Sequence, residues 1–239
     1  MKPGVYMVGT PIGNLQDISS RALDTLRAAN YVMAEDTRHT GRLLAHFGIQ
    51  ARLVSCHRFN EKSRTHFVVQ QVCAGKTVAL VTSAGMPAVS DPGARVALAC
   101  RQAGAPVFVV PGPSSVTAAL ALSGFGGGGY VMQGFLPRKP GARRRQLEAA
   151  LALEMPVVVF ESPYRLLKLL EDLEALAPAR LVCAARELTK LNEECLWGPA
   201  AQLREKFAVR QGGGRLKGEF VVVIAPESKA GAKRQTGGS

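Results

Sequence analysis

Val5-Tyr6-Met7-Val8-Gly9-Thr10-Pro11-Ile12-Gly13-Asn14 is the stretch on which the reading of this chain turns. Four apolar residues read as a first strand, and two glycines and a proline then stop it. Gly9 and Gly13 allow backbone conformations and close approaches that a Cβ forbids. Pro11 stiffens the loop and removes a donor. A Gly/Pro loop at the carboxyl end of a first strand is where open α/β sheets place small ligands. The stretch is not G-x-G-x-x-G, so the common dinucleotide fingerprint is absent.

Working outward, strand-like and helix-like patterns alternate along the chain, which predicts an α/β protein with mostly parallel sheet. First-half strands are expected at about Gly4–Val8, Tyr31–Ala34, Leu53–Cys56, Thr77–Thr82 and Pro106–Val110. Helices are expected at Ile18–Ala29 (capped by Ser19 or Ser20), Asn60–Ala74 and Gly93–Ala103, with Gly104 as a C-terminal glycine stop. Pro111-Gly112-Pro113 is the strongest internal break. It divides the chain into an N-terminal domain, 1–112, a C-terminal domain, 113–226, and a basic tail, 227–239, that has no apolar anchor and is expected to be disordered. Ser114 and Ser115 open a helix at Val116–Leu122. The second half repeats the alternation, with strands at Tyr130–Phe135, Pro156–Phe160, Leu181–Ala185 and Glu219–Ala225 and a leucine-rich helix at Pro163–Leu176.

The 239 residues suffice for one large or two small cores. Thirty Lys and Arg against 18 Asp and Glu give a net charge of +12, which favours a polyanionic partner such as nucleic acid. The five cysteines are odd in number and form no C-x-x-C, so neither a disulfide framework nor a zinc site is indicated, and the histidines show no metal spacing. Met1-Lys2-Pro3 runs straight into the first strand, leaving no room for a signal peptide, and no apolar run reaches membrane-spanning length. The expectation is a cytoplasmic protein with no metal and no membrane partner.

Four loops follow strands and break their pattern: Gly9–Asn14, Ser83-Ala84-Gly85-Met86-Pro87, Pro111–Ser115 and Glu161-Ser162-Pro163-Tyr164-Arg165. Each alone is ordinary turn chemistry, but four at carboxyl ends of strands suggest a shared ligand site. The cluster Glu35-Asp36-Thr37-Arg38-His39 joins acid, base and hydroxyl after the second strand. It reads either as an ion pair of Asp36 with Arg38 or as substrate handling, with Asp36 or His39 moving a proton and Arg38 holding a phosphate. Arg186-Glu187-Leu188-Thr189-Lys190 has the same character. Arg138-Lys139-Pro140-Gly141-Ala142-Arg143-Arg144-Arg145 concentrates cations at a helix start, against the helix dipole, which favours contact with phosphates.

These stretches, with Asp91-Pro92-Gly93, Phe160-Glu161-Ser162 and Lys217-Gly218-Glu219, occur in an order that resembles the tetrapyrrole methylase (class III methyltransferase) superfamily. Within it the chain is most similar to the branch that methylates small-subunit ribosomal RNA. The resemblance spans about residues 4 to 225. It implies two α/β domains with S-adenosylmethionine in the cleft between them, a homodimer, and methylation of a cytidine ribose 2′-hydroxyl in the decoding centre. The implied cofactor contacts are Pro11, Ser83, Ala84, Gly85, Met86, Val89, Ser114, Ser115, Thr117, Phe160, Glu161, Lys217 and Gly218. The implied RNA contacts are Arg138, Lys139, Arg143, Arg144 and Arg145, and the candidates for catalysis are Asp36, Arg38, His39 and Glu187. The chain departs from the family pattern Ser-Asp-Ala-Gly-Thr-Pro at Thr82-Ser83-Ala84-Gly85-Met86-Pro87, where a carboxylate and a hydroxyl are missing. The rival readings are a tetrapyrrole methylase proper and a non-catalytic protein that binds ribosomal RNA.

Overall fold

A computed structural model describes residues 1–214 and 216–227. The chain forms two compact units that meet in sequence between Ser114 and Ser115. Apart from Glu227, the expected disordered tail lies outside the described residues.

The first unit is built on five parallel strands: β1 (Gly4–Val8), β2 (Tyr31–Ala34), β3 (Leu53–Ser55), β4 (Thr77–Val81) and β5 (Val107–Val110). Their order is β3-β2-β4-β1-β5. Thr77–Val81 is buried at every position, as a central strand covered on both faces requires. α3 (Glu61–Cys73) and α4 (Ala94–Gln102) cover the face that carries Val5, Met33, Val78 and Leu80. α1 (Ser20–Ala28) and α2 (Thr37–His46) cover the opposite face, with Val8, Val32, Ala79 and Val81. Ser19 caps α1 by accepting the Ala22 N–H, and Gly104, at φ +68°, takes the left-handed turn that ends α4. α2 starts where the sequence suggested a reactive loop. Gly41 in its middle weakened the helical pattern there.

The second unit has strands β6 (Val131–Phe135), β7 (Val157–Glu161), β8 (Leu181–Arg186), β9 (Glu194–Pro199) and β10 (Phe220–Ile224), in the order β6-β7-β10-β8-β9. Only β6 and β7 run parallel; β7–β10, β10–β8 and β8–β9 are antiparallel. The expectation of mostly parallel sheet therefore fails in this unit. A short turn returns β8 into β9, and only an antiparallel pair can be closed so briefly. β9 escaped the sequence reading because Gly198 and Pro199 interrupt it, which an edge strand tolerates. α6 (Pro140–Leu151), α7 (Pro163–Leu176) and α8 (Ala200–Gly212) bury Leu147, Leu166, Leu170, Leu173 and Phe207 against one face of the sheet. α5 (Ser115–Ser123) packs on β8 and β10. Cys183 and Cys195 are free thiols whose sulfurs lie 3.1 Å apart across β8 and β9. Among the described residues no helix is long and apolar enough to cross a membrane, and no three His, Cys, Asp or Glu side chains come together as a metal site.

Candidate active site

In the first unit the loops after β1, β4 and β5 leave neighbouring strands at one edge of the sheet, and they interlock. The Gly9 N–H donates to the Val110 carbonyl at 2.9 Å. Thr10 and Gly85 exchange both backbone hydrogen bonds, at 3.0 and 3.1 Å, and the Thr10 hydroxyl donates to the Thr82 carbonyl. A Cβ on Gly9 would lie 2.7 Å from the backbone of Gly112 and from the Met86 sulfur, so only glycine lets these loops meet. Pro11 and Gly85 are buried in this junction, whereas Ala84 and Val89 are exposed. Gly85 contributes shape rather than donors, since Thr10 uses its N–H and carbonyl.

Glu35, at the end of β2, holds the Ser83 loop: its Oε2 accepts from the Ser83 N–H at 3.2 Å and from the Ser83 hydroxyl at 3.0 Å. The loop that follows bends through positive φ at Ala88 and Ser90. Asp91 sits in this bend, and burial together with the Glu35 charge pushes its carboxyl up to about 6. Glu61 secures the end of the bend by accepting the Gly93 N–H at 2.8 Å.

Asp36 behaves differently from expectation. It is the N-cap of α2, and its Oδ1 accepts from the N–H groups of Arg38 at 2.8 Å and His39 at 3.2 Å. Those backbone donors, from His39 first and then Arg38, hold its carboxyl below the usual carboxylate range. The Arg38 guanidinium is 3.9 Å away and almost fully exposed, so the ion pair is peripheral. His39 is also exposed.

In the second unit the register brings the ends of β6, β7 and β8 and the start of β10 to one sheet edge, with Phe220 opposite both Glu161 and Arg186 and Phe135 opposite Phe160. Phe160, Glu161, Glu187, Lys217 and Gly218 therefore fall together. Glu161 is buried; its carboxylate accepts the Ser162 N–H at 2.7 Å and pairs with Arg165 at 3.3 Å. Burial raises its pKa against the opposing pull of Ser162, Arg165 and Arg143. Arg165 also donates to the Leu136 and Pro137 carbonyls, which ties this carboxylate to the loop carrying Arg138 and Lys139.

Glu187 stands at φ +50°, with its Oε1 accepting from the Lys190 ammonium at 2.9 Å and the Glu219 N–H at 3.0 Å. Burial works to raise its pKa, but the hydrogen bonds from Lys190 and Glu219, with the Lys190 and Arg186 charges, outweigh it and lower the value. Gly218, at φ +99°, lies so close that a Cβ would meet the Glu187 side chain at 2.5 Å. Glu187 is thus committed to holding the β8 and β10 ends together. Ser114, Ser115 and Thr117 flank the start of α5, Ser114 and Ser115 partly buried and Thr117 exposed.

The basic run divides in two. Arg143 is buried and its Nε meets Asp172 Oδ2 at 2.6 Å, while Arg144 Nε meets Oδ1 of the same buried carboxylate at 2.6 Å. The expectation that Arg143 touches RNA is corrected: it faces the core, because helical spacing turns one residue of the run inward and Asp172 on α7 neutralises it. Arg144 is half-exposed but already engaged. Arg138, Lys139 and Arg145 are exposed and form no ion pair among the described residues.

Residues 4–204 match the family described as Tetrapyrrole (Corrin/Porphyrin) Methylases. The chain belongs to the tetrapyrrole methylase family. This methylase is 42% identical over 221 residues to a protein of Escherichia coli named ribosomal RNA small subunit methyltransferase I, covering 92% of this chain and 77% of that one. It is 43% identical over 222 residues to the Thermotoga maritima protein of that name, covering 92% and 97%. The Vibrio cholerae protein so named is 40% identical over 233 residues, covering 97% and 80%. Among solved structures, the methylase fold superposes on the methyltransferase CobJ with TM-score 0.70 at 17% identity, covering 93% and 94%. It superposes on a uroporphyrin-III-C-methyltransferase from Thermus thermophilus with TM-score 0.63 at 23% identity, covering 93% and 94%. At that identity these two likenesses speak to the fold alone.

Glu35, Glu61, Asp91 and Arg165 were not among the site residues that the sequence suggested. Glu35, Asp91 and Arg165 lay inside stretches already singled out. Glu35 and Glu61 act on loops 48 and 32 residues away, a relation that no local pattern carries.

Proposed function

We propose that this methylase transfers the methyl group of S-adenosylmethionine to the ribose 2′-hydroxyl of a cytidine in the decoding centre of small-subunit ribosomal RNA, acting in the cytoplasm as a homodimer. The observation that carries the reading is the identity of about two residues in five, over nearly the whole chain, with proteins named for that ribosomal RNA. The net charge of +12 and the exposed Arg138, Lys139 and Arg145, which form no ion pair among the described residues, support an RNA substrate.

The first-unit junction suits the cofactor. Side chains are absent at Gly9, Gly85 and Gly112, Glu35 fixes the direction of Ser83, and two carboxyl groups, Glu35 and Asp91, favour a positive charge nearby. Pro11, Ser83, Ala84, Gly85, Met86, Val89 and Ser114 would hold it there. When bound, S-adenosylmethionine supplies a methyl group activated by its sulfonium. The work left to the protein is alignment of the attacking oxygen and acceptance of its proton. Asp36 Oδ1 and Glu187 Oε1 already accept from backbone amides and, for Glu187, from Lys190, and these bonds hold both carboxyls below the usual range, which makes them weak bases. Asp91, with a carboxyl near 6, is better suited to take a proton. Arg38 and His39, exposed at the start of α2, are placed to meet the RNA backbone, with Asp36 holding their turn.

The test is transfer of labelled methyl to small ribosomal subunits that lack the modification, followed by mapping of the labelled nucleotide. Label on a cytidine 2′-oxygen is the expected result. Cofactor binding without label on RNA would move the assignment to a tetrapyrrole or other small substrate. RNA binding without cofactor binding would mean a non-catalytic protein. Asp36→Ala and Arg38→Ala both lower turnover on this reading; wild-type rates in both would remove that segment from the site.

A further inference from the structure

The turn that leaves β3, His57-Arg58-Phe59-Asn60, holds an aromatic ring in water. Phe59 is 80% exposed, the most exposed large apolar side chain among the described residues of the first unit. A ring left in solvent by a slack loop would be unremarkable, but this turn is locked. The Asn60 side chain accepts the His57 N–H at 2.7 Å and donates to the Ser55 hydroxyl at 3.2 Å. The N–H groups of Asn60 and Glu61 both donate to the His57 carbonyl, and the Phe59 N–H donates to His57 Nδ1 at 3.3 Å. The Arg58 guanidinium lies over the Phe59 ring, 4.4 Å from its centroid, and the His57 ring stands edge-on at 6.0 Å.

The surroundings are cationic. β2 and β3 pair in parallel with Ala34 opposite Ser55, and the Cys56 N–H donates to the Ala34 carbonyl at 2.8 Å. The turn bearing Arg38 and His39 therefore leaves the sheet beside the turn bearing Phe59. Arg38, Arg58 and Lys62 are all exposed. The acids nearby keep their charge but are tied into the fold: Glu35 accepts from Ser83, Asp36 caps α2, and Glu61 accepts the Gly93 N–H. Exposed aromatic rings interleaved with cations are how proteins take hold of unpaired nucleotides, the ring stacking on a base while the cations meet the adjoining phosphates. An apolar protein contact would want further exposed apolar side chains around the ring, and this turn offers charge instead.

We propose that Phe59 is a stacking platform for an unpaired base of the RNA substrate, with Arg58, Arg38 and Lys62 gripping the backbone beside it. The inference rests on the reading of the protein as an RNA methyltransferase. It adds a base-contacting surface on the first unit to the basic run on the second. A base held unstacked from its neighbours also frees the ribose next to it for reaction.

The test measures binding of small ribosomal subunits, and of a protein-free single-stranded RNA carrying the decoding-centre sequence, to Phe59→Ala, Phe59→Leu and Phe59→Trp. The Ala and Leu variants are expected to bind both RNAs about ten-fold more weakly, and the Trp variant to bind like wild type. Arg58→Ala is expected to reduce the salt dependence of binding by about one ion, and Phe59→Ala to leave it unchanged. S-adenosylmethionine affinity, measured by calorimetry, is expected to be the same in all four, which shows that each is folded. Wild-type RNA affinity in Phe59→Ala overturns the proposal. So does full rescue by Leu, or a loss confined to whole subunits, since both point to a ribosomal protein as the partner. A wild-type chain that binds RNA through Phe59 but transfers no methyl would leave this surface standing and overturn the catalytic reading instead.

Discussion

Arg143 and its neighbours Arg138, Lys139 and Arg145 look alike in sequence and should behave in opposite ways when removed. Arg143 is buried against Asp172, whose side chain is 2% exposed, at 2.6 Å. Truncation of Arg143 leaves that carboxylate with only the half-exposed Arg144, and breaking a buried pair of this kind costs about 3 kcal/mol. Removal of Arg138, Lys139 and Arg145 together should cost almost no stability, since none of them forms an ion pair among the described residues. Their loss should appear in RNA binding instead. Each phosphate contact contributes a slope of about 0.7 to 0.9 to the dependence of log affinity on log salt. Three lost contacts lower the slope by about two to three. Across a fourfold rise in salt, from about 50 to 200 mM, the triple variant then loses about twenty- to forty-fold less affinity than wild type does. Both halves can be read in simple assays. Trp197, the single tryptophan, lies in the second unit on β9 and reports its unfolding in urea by fluorescence. Filter binding of small ribosomal subunits over a salt series gives the slope. An unchanged urea midpoint in Arg143→Ala, with a slope reduced by one, would refute the division of this run into a buried and an exposed half.

The remaining expectations concern the loops. The Asp91 carboxyl titrates at about 6 in the folded chain against 3.8 as a free group, so the fold binds more protons between those values and loses stability as pH rises through them. Asp91→Asn removes that loss and gains about 1 kcal/mol at neutral pH, after allowance for solvent screening of a half-buried group, while methyl transfer falls; thermal melts at about pH 4 and pH 7 with rates on the same samples check both. Gly9→Ala sets a methyl 2.7 Å from the Gly112 backbone and the Met86 sulfur, forcing the loops apart; the expected results are a loss of about 1–3 kcal/mol in first-unit stability and weaker binding of S-adenosylmethionine by calorimetry. Gly218→Ala combines φ +99° with a 2.5 Å contact to Glu187, and should destabilise the second unit by about 1–3 kcal/mol in the Trp197-detected urea transition.

Much of the fold is legible in local pattern. β1, β2 and α7 lie at the residues where short apolar runs and leucine spacing put them, because a continuous apolar run ended by turn residues and a leucine stripe at helical spacing are both local features of the chain. α2 and β9 were not, since a mid-helix glycine and a terminal Gly-Pro blur the pattern, and neighbouring strands and helices override it. Strand direction in the second unit was equally hidden: a run of valines reads the same whether its neighbour is parallel or antiparallel.

The sequence by itself determined that this is an α/β chain with loops at strand ends, a strong positive charge and the ordered motifs of the methylase family. These are properties of composition, period and succession. Only the tertiary structure decided what each polar side chain is for. Asp36 became a helix cap and Glu187 a clasp between β8 and β10. Arg143 became half of a buried ion pair, and Glu35 the anchor of a loop 48 residues away. The physical reason is that the role of a charge is set by its partners and its distance from water, and both are fixed only when strands remote in sequence come to lie side by side.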